Sequence, residues 1–201
     1  MKVTAVLVIT LIAGFIFLQR MKTFDQRYNT DEIAQDTPTP TTIPCVPTFV
    51  DGGGPYYLPD APFRSTLNPE NHQGQVLKVS GKVLLNDCVT PAPETTIDIW
   101  HADETGEYVN DWYRGQIITD EQGNYSFETV IPKGYGEGTA YRPPHIHFKI
   151  FRAKREVITS QMFFPDVTGR EGFDDAYIMK TEEKTEGEEK VVYASHNIIL
   201  P

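Results

Sequence analysis

Residues Arg142–Phe151 read RPPHIHFKIF. His145 and His147 stand two apart, and in a β-strand residues i and i+2 point to the same face. If the stretch is extended, both imidazoles project side by side into one pocket. Pro143 and Pro144 have no backbone donors and favour an extended chain just ahead of the strand. Arg142, before that rigid pair, is delivered to the mouth of the same pocket. Phe148, Lys149, Ile150 and Phe151 carry the strand onward. A lone HxH pair is commonly packing or surface, so its meaning depends on the rest of the chain.

The flanking sequence repeats the same grammar. Val76–Leu85, with a bulge expected at Gly81, Thr95–Trp100, Gln116–Thr119, Tyr125–Val130, Ile146–Phe151 and Val157–Phe164 all read as strands. In Thr95–Trp100 the residues Ile97 and Ile99 share one parity, while Asp98 and Trp100 share the other. Turn sequences separate these runs, among them DGGGP at Asp51–Pro55 and DEQGN at Asp120–Asn124. The charged run Lys180–Lys190 reads as a solvated hairpin loop, and Val191–Leu200 as the segment that closes the sheet. Nothing after residue 23 shows a long 3.6-residue hydrophobic period. The fold expected is all-β, an antiparallel β-sandwich with long loops at its functional end.

Composition narrows the partners. The chain has 201 residues and a formal net charge of −10. That excludes nucleic acid, whose binding relies on clustered Lys and Arg, and gives no attraction to anionic lipid. Val3–Leu18 is the one long apolar run, about 24 Å as a helix against a hydrocarbon core of about 30 Å. Lys2 precedes it, so residues 1–22 are expected to be a signal peptide or membrane anchor. Residues 23–44, with TPTPTTIP at Thr37–Pro44, read as an extended Thr/Pro linker. The folded domain is expected over residues 45–201, outside the cytoplasm. Attachment through the apolar run and oligomerisation both stay open. Behind an export signal, Cys45 and Cys88 read as a disulfide, and no CxxC pattern suggests zinc.

Two tyrosines in Gly-containing loops precede the histidine pair: Tyr108 in ETGEY and Tyr135 in PKGYG. With His145 and His147 they can form a shell of two phenolates and two imidazoles. Phenolate is a hard anionic ligand suited to Fe(III). A trivalent cation lowers the phenol pKa from about 10, as a bound metal does for water.

At this point the chain resembles a family. The succession IDIWHADETGEY (Ile97–Tyr108), RGQIITDEQGNYSFETVIPKGY (Arg114–Tyr135), YRPPHIHF (Tyr141–Phe148) and TSQMFF (Thr159–Phe164) is similar to the intradiol ring-cleavage dioxygenases. The resemblance implies Tyr108, Tyr135, His145 and His147 as ligands of a non-haem Fe(III). It implies Arg142 and Gln161 as active-site residues, and Tyr135 as the ligand that leaves when substrate binds. GPYY, Gly54–Tyr57, resembles the segment lining the family's substrate pocket, so Tyr56 and Tyr57 are candidate pocket residues, with Trp112 and Tyr113 as further aromatic candidates. The implied reaction opens a catechol ring with O2 to a muconate-type dicarboxylic acid. Departures from the family pattern are Pro144 where Ala is usual, a short loop from Tyr135 to His145, and Tyr141 as a rival to Tyr135. A counterpart of the helical N-terminal domain of the catechol branch is not expected from this sequence. The chain therefore looks closer to the protocatechuate branch or to exported single-domain members. A cupin would need a Glu soon after the HxH, and the first acid is Glu156. A non-catalytic surface β-sandwich explains the linker and fold but not the ligand set. His72, His101 and His196 read as structural or surface residues.

Overall fold

The computed structural model describes residues 45–54, 56–109, 111–165 and 177–201. The expected signal or anchor at 1–22 and linker at 23–44 lie outside the described residues. Among the described residues no helix is long and apolar enough to cross a membrane.

Among the described residues nine strands form two sheets. In chain order they are β1 (Val76–Leu84), β2 (Thr96–Trp100), β3 (Arg114–Ile118), β4 (Asn124–Val130), β5 (His145–Arg152), β6 (Arg155–Phe163), β7 (Lys180–Glu186), β8 (Glu189–Ser195) and β9 (Ile198–Ile199). One sheet has the order β3-β2-β5-β6 and is antiparallel throughout. The other runs β4-β1-β8-β7, with β9 also on β1. Their inner faces bury Leu77, Val79, Val83, Ile97, Ile99, Tyr125, Phe127, Ile146, Phe148, Ile150, Ile158 and Met162 in one core. The sandwich expected from the short strands is therefore the fold.

Three details depart from the sequence reading. β1 takes β8 and β9 as parallel partners, so the second sheet is mixed. Turn chemistry reveals hairpins, whereas a parallel partner from the far end of the chain leaves no local signal. Gly81 is not a bulge, because β1 pairs with β4 in continuous register through Gly81 and Tyr125. The glycine is required by close approach instead: a Cβ there would lie 1.8 Å from the His196 carbonyl oxygen, where the chain crosses between β8 and β9. Finally, the charged run after Lys180 is a strand. β7 is exposed along its whole length yet pairs with β8 from Lys180–Ser195 to Glu186–Glu189, turning at Gly187. Backbone pairing does not depend on side-chain polarity, and charge on an edge strand keeps other chains from adding to it.

An arm, residues 45–54, crosses from one sheet to the other. Thr48 bonds β9 through Ile199 at 2.9 and 2.8 Å, and Asp51 N donates to Thr159 O of β6 at 2.8 Å. Its start is fastened by the Cys45–Cys88 disulfide, which spans 43 residues of sequence. Cross-linking a loop of that length removes unfolded-state entropy worth about 4 kcal/mol in the chain-entropy model. Replacing both cysteines by serine is expected to lower urea-unfolding stability by ~2–4 kcal/mol. Unchanged stability, or two free thiols by intact mass in protein made in an oxidising compartment, would contradict the tie.

Candidate active site

Alternation along β5 decides the site's position. Ile146, Phe148 and Ile150 fill the core, so His145, His147 and Lys149 face away from it. Cross-strand register then assembles a row on this outer face: Arg114 on β3, Trp100 on β2, His147 on β5 and Gln161 on β6. Trp100 lies flat against His147, with centroids 4.8 Å apart and planes 4° apart. Tyr57 packs edge-on against Trp100 at 4.8 Å and donates its hydroxyl to Asp98 Oδ2 at 3.0 Å. Gln116 Nε2 donates to the same oxygen at 3.1 Å, so the buried Asp98 carboxylate is partnered. Gly54, at φ 63°, also lies against His147. A Cβ at Gly54 would sit 2.9 Å from His147 Cε1.

The two imidazoles meet at their ε nitrogens, His145 Nε2 to His147 Nε2, 3.0 Å apart. His145 Nδ1 lies 2.5 Å from the Pro143 carbonyl oxygen and, as the donor there, leaves Nε2 with its lone pair. Pro143 thus holds the ring's tautomer as well as extending the chain. Burial lowers the His145 pKa to about 4. Burial, then the neighbouring His145 and Arg142, lower that of His147 to about 2. Near neutral pH both rings are uncharged, and His147 Nδ1 is buried with no hydrogen-bond partner among the described residues.

The tyrosines come from two loops that touch. Asp103 Oδ1 accepts from Thr105 N, Thr105 Oγ1 and Glu107 N at 2.7–2.9 Å, which folds the β2–β3 loop into a tight turn ahead of Tyr108. Gly106, at φ 94°, lets that turn approach the Gly134 carbonyl of the β4–β5 loop. The second loop is closed by paired backbone bonds between Tyr135 and Arg142, 3.0 and 2.8 Å. Tyr108 and Tyr135 meet edge-to-face at 5.7 Å, Tyr135 lies 5.7 Å from His145, and Tyr108 6.5 Å from His147. Tyr56 stacks on Tyr108 at 4.4 Å. The Tyr108 hydroxyl is buried and makes no hydrogen bond of good geometry. Burial, and then Tyr135 beside it, raise its pKa, so without a cation it stays a phenol. Tyr141 is 40% exposed, and its hydroxyl lies over Gly134 instead of joining this ring cluster. Of the two rival tyrosines, Tyr135 is the one beside the histidines.

Arg142 and Gln161 also come together: Arg142 Nη2 donates to Gln161 Oε1 at 2.7 Å. Gln161 Nε2 donates in turn to Asp51 Oδ2. Asp51 was hidden inside a glycine-rich turn, and only the arm's path along β6 brings it here. Tyr56, Leu58, Trp100, Tyr108, Val109 and Trp112 line a cavity of about 140 Å³ beside the cluster. Wider hollows of about 680 and 500 Å³ elsewhere contain none of the clustered rings. Trp112 stands at this cavity. Tyr57 supports Trp100 from beneath, and Tyr113 is buried against His101 at 5.3 Å, with its hydroxyl on Glu104. His101 is itself fully buried, bonded to Ala102 O and Thr129 Oγ1 at 2.6 and 2.7 Å, as a structural histidine should be.

Among the described residues no three His, Cys, Asp or Glu side chains converge as a metal site. The histidine pair's other potential ligands are phenols. Two neutral imidazoles, one with a fixed tautomer, and a buried unpartnered phenol beside a second phenol form a donor set that fits a hard trivalent ion.

Known proteins share the sequence pattern and the fold. The family model described as Dioxygenase matches residues 53–200. A chlorocatechol 1,2-dioxygenase from Pseudomonas sp. (strain P51) is 31% identical over 137 residues, covering 55% of this chain and 53% of that protein. The dioxygenase domain of a dioxygenase carbohydrate-binding protein fusion from Streptomyces sp. SirexAA-E superposes with TM-score 0.65 at 30% identity, covering 77% of this chain and 98% of that one. A 3-chlorocatechol 1,2-dioxygenase from Rhodococcus opacus 1CP shares the fold with TM-score 0.69 at 23% identity, covering 76% of this chain and 72% of that one. This chain belongs to the intradiol ring-cleavage dioxygenase family. It spans about half the length of the curated relatives it matches.

The contact at Gly54 gives a direct test of the histidine pair. In Gly54→Ala the new methyl meets His147 and the backbone is strained at positive φ. The variant is expected to bind Fe(III) at least ~10-fold more weakly, the scale of losing a group that orients a metal ligand. Unaltered iron affinity, measured by competition with a chelator, would show that Gly54 does not hold the ring.

Proposed function

We propose that this chain is a non-haem Fe(III) intradiol dioxygenase that opens the ring of a catechol with O2 to a muconate-type dicarboxylate. The observation that carries the reading is the pair of neutral imidazoles whose ε nitrogens meet at 3.0 Å beside two tyrosines. In this reading Tyr108, Tyr135, His145 and His147 hold the metal. When bound, ferric iron supplies a Lewis acid that ionises phenols and draws electron density from the catechol ring, so that O2 can add to it.

The chain's own residues supply proton transfer, orientation and charge. A catechol must lose two protons; with iron bound, Tyr135 as tyrosinate would accept one at Oη and hydroxide from solvent would accept the other. Tyr108 is the deeper of the two phenols and stays in place, covered by Tyr56. Arg142 places its guanidinium beside the histidine pair, where negative charge on the ring can be stabilised. Gln161 orients that guanidinium. Tyr56 stacked on Tyr108 and the buried Trp100 flat on His147 present aromatic faces along the cavity beside the cluster. The cavity lining suits a flat aromatic substrate, with ring substituents to be read from a panel of catechols. We read the domain as lying outside the cytoplasm, on the strength of the apolar run Val3–Leu18 and of the Cys45–Cys88 disulfide, which suits an oxidising compartment.

The test is oxygen uptake by the iron-loaded chain with substituted catechols. Equimolar loss of O2 and catechol is expected for at least one member, and no uptake with any of them would overturn the reading. Arg142→Lys separates its role from architecture. Lysine keeps the charge and loses the planar fork. The variant is expected to keep its iron and bind catechol, yet to consume bound catechol ~100-fold more slowly in a single turnover with O2. A wild-type rate would remove Arg142 from the reaction, and loss of iron would make it a support of the metal ligands.

A further inference from the structure

We propose that Asp51 is a positioning residue, whose carboxylate fixes the orientation of the Gln161 carboxamide and through it the Arg142 guanidinium. The proposal rests on the dioxygenase reading for its consequence, although the chain of bonds stands independently.

Three side chains form that chain. Gln161 Nε2 donates to Asp51 Oδ2, and Arg142 Nη2 donates to Gln161 Oε1 at 2.7 Å. A carboxylate can only accept and a guanidinium can only donate. The amide between them therefore has one satisfactory orientation, NH2 toward Asp51 and C=O toward Arg142. Flipping it would set oxygen against carboxylate and NH2 against guanidinium. Gln161 is 3% exposed, so water cannot repair a flipped amide. Gln161 also stands opposite His147 in register, which puts the ordered guanidinium beside the histidine pair.

Asp51 is itself held firmly. Its N–H donates to Thr159 O of β6 at 2.8 Å, and its other carboxylate oxygen accepts from Gly52 N at 2.7 Å. A second role for Asp51 does not fit the geometry. His145, His147 and Asp51 have the composition of a two-histidine, one-carboxylate ferrous site. Among the described residues no three such side chains converge, and each Asp51 oxygen is turned to an amide donor, Gly52 N or Gln161 Nε2. Asp51 orders the residue opposite the histidines and is not their third ligand.

Two readouts test this on the full chain. With diamagnetic Ga(III) in place of iron, the Gln161 side-chain amide protons, assigned through Gln161→Ala, are expected to exchange slowly in wild type and quickly in Asp51→Ala. Unchanged exchange in Asp51→Ala overturns the proposal whether or not the chain turns over catechol. Absence of turnover in wild type would instead fail the dioxygenase reading and leave the exchange result to decide Asp51. With Fe(III) bound, Asp51→Ala is expected to keep its iron and lose about 10- to 100-fold in kcat, the scale of one charged hydrogen bond. Asp51→Asn keeps an acceptor for Gln161 and should recover most of that loss. Added to Gln161→Ala, Asp51→Ala should cost less than about 2-fold more, because both act through one amide. Loss of iron, an Asn variant as slow as Ala, or independent multiplying effects would each overturn the assignment.

Discussion

On the outer face of the β3-β2-β5-β6 sheet, Trp100, His147 and Gln161 stand in one transverse row. Antiparallel pairing fixes that row, and a slip of one residue would turn His147 into the core and Phe148 out of it. Burial of Ile146, Phe148 and Ile150 makes such a slip costly. The same hydrophobic contacts that close the sandwich therefore aim the imidazoles. Trp100 flat on His147, and Tyr57 and Asp98 behind Trp100, convert register into a rigid ring position.

Around the row, burial works against charge. Both histidines are held neutral and Tyr108 is held as a phenol. These groups form a desolvated cluster in which Tyr108 Oη and His147 Nδ1 are buried without a hydrogen-bond partner among the described residues. A trivalent cation reverses the balance for the phenols, because its field stabilises their ionised form more than burial penalises it. The neutral imidazoles bind without first losing a proton.

Much of this was legible in the chain itself. Period-two alternation marked β5, and His145 and His147 share a face as that period requires. Tyr108, Tyr135, Arg142 and Gln161 were legible through family resemblance and not through spacing, since the two loops meet only after the sheets form. Gly54 and Asp51 carried too little local signal. DGGGP reads as a turn, and what matters is that the arm crosses to β6 and brings one carboxylate to Gln161 and one glycine against His147. β7 was missed because alternation is visible only when one face is buried, and both faces of that strand meet solvent. The parallel partners of β1 come from residues over a hundred positions away, as Leu77 beside Val192 shows, and no local pattern encodes them.

The claim at the centre is that two phenolates and two imidazoles of this chain hold ferric iron. The most direct measurement is a titration of the metal-free full chain with Fe(III), followed by visible absorption, for wild type, Tyr108→Phe and Tyr135→Phe. Tyrosinate bound to Fe(III) gives a charge-transfer band. The expected result is a coloured wild type that saturates at one iron per chain, with each Phe variant showing a weaker, shifted band. Iron bound tightly without a visible band, or a band that neither variant alters, would contradict a site built on Tyr108 and Tyr135.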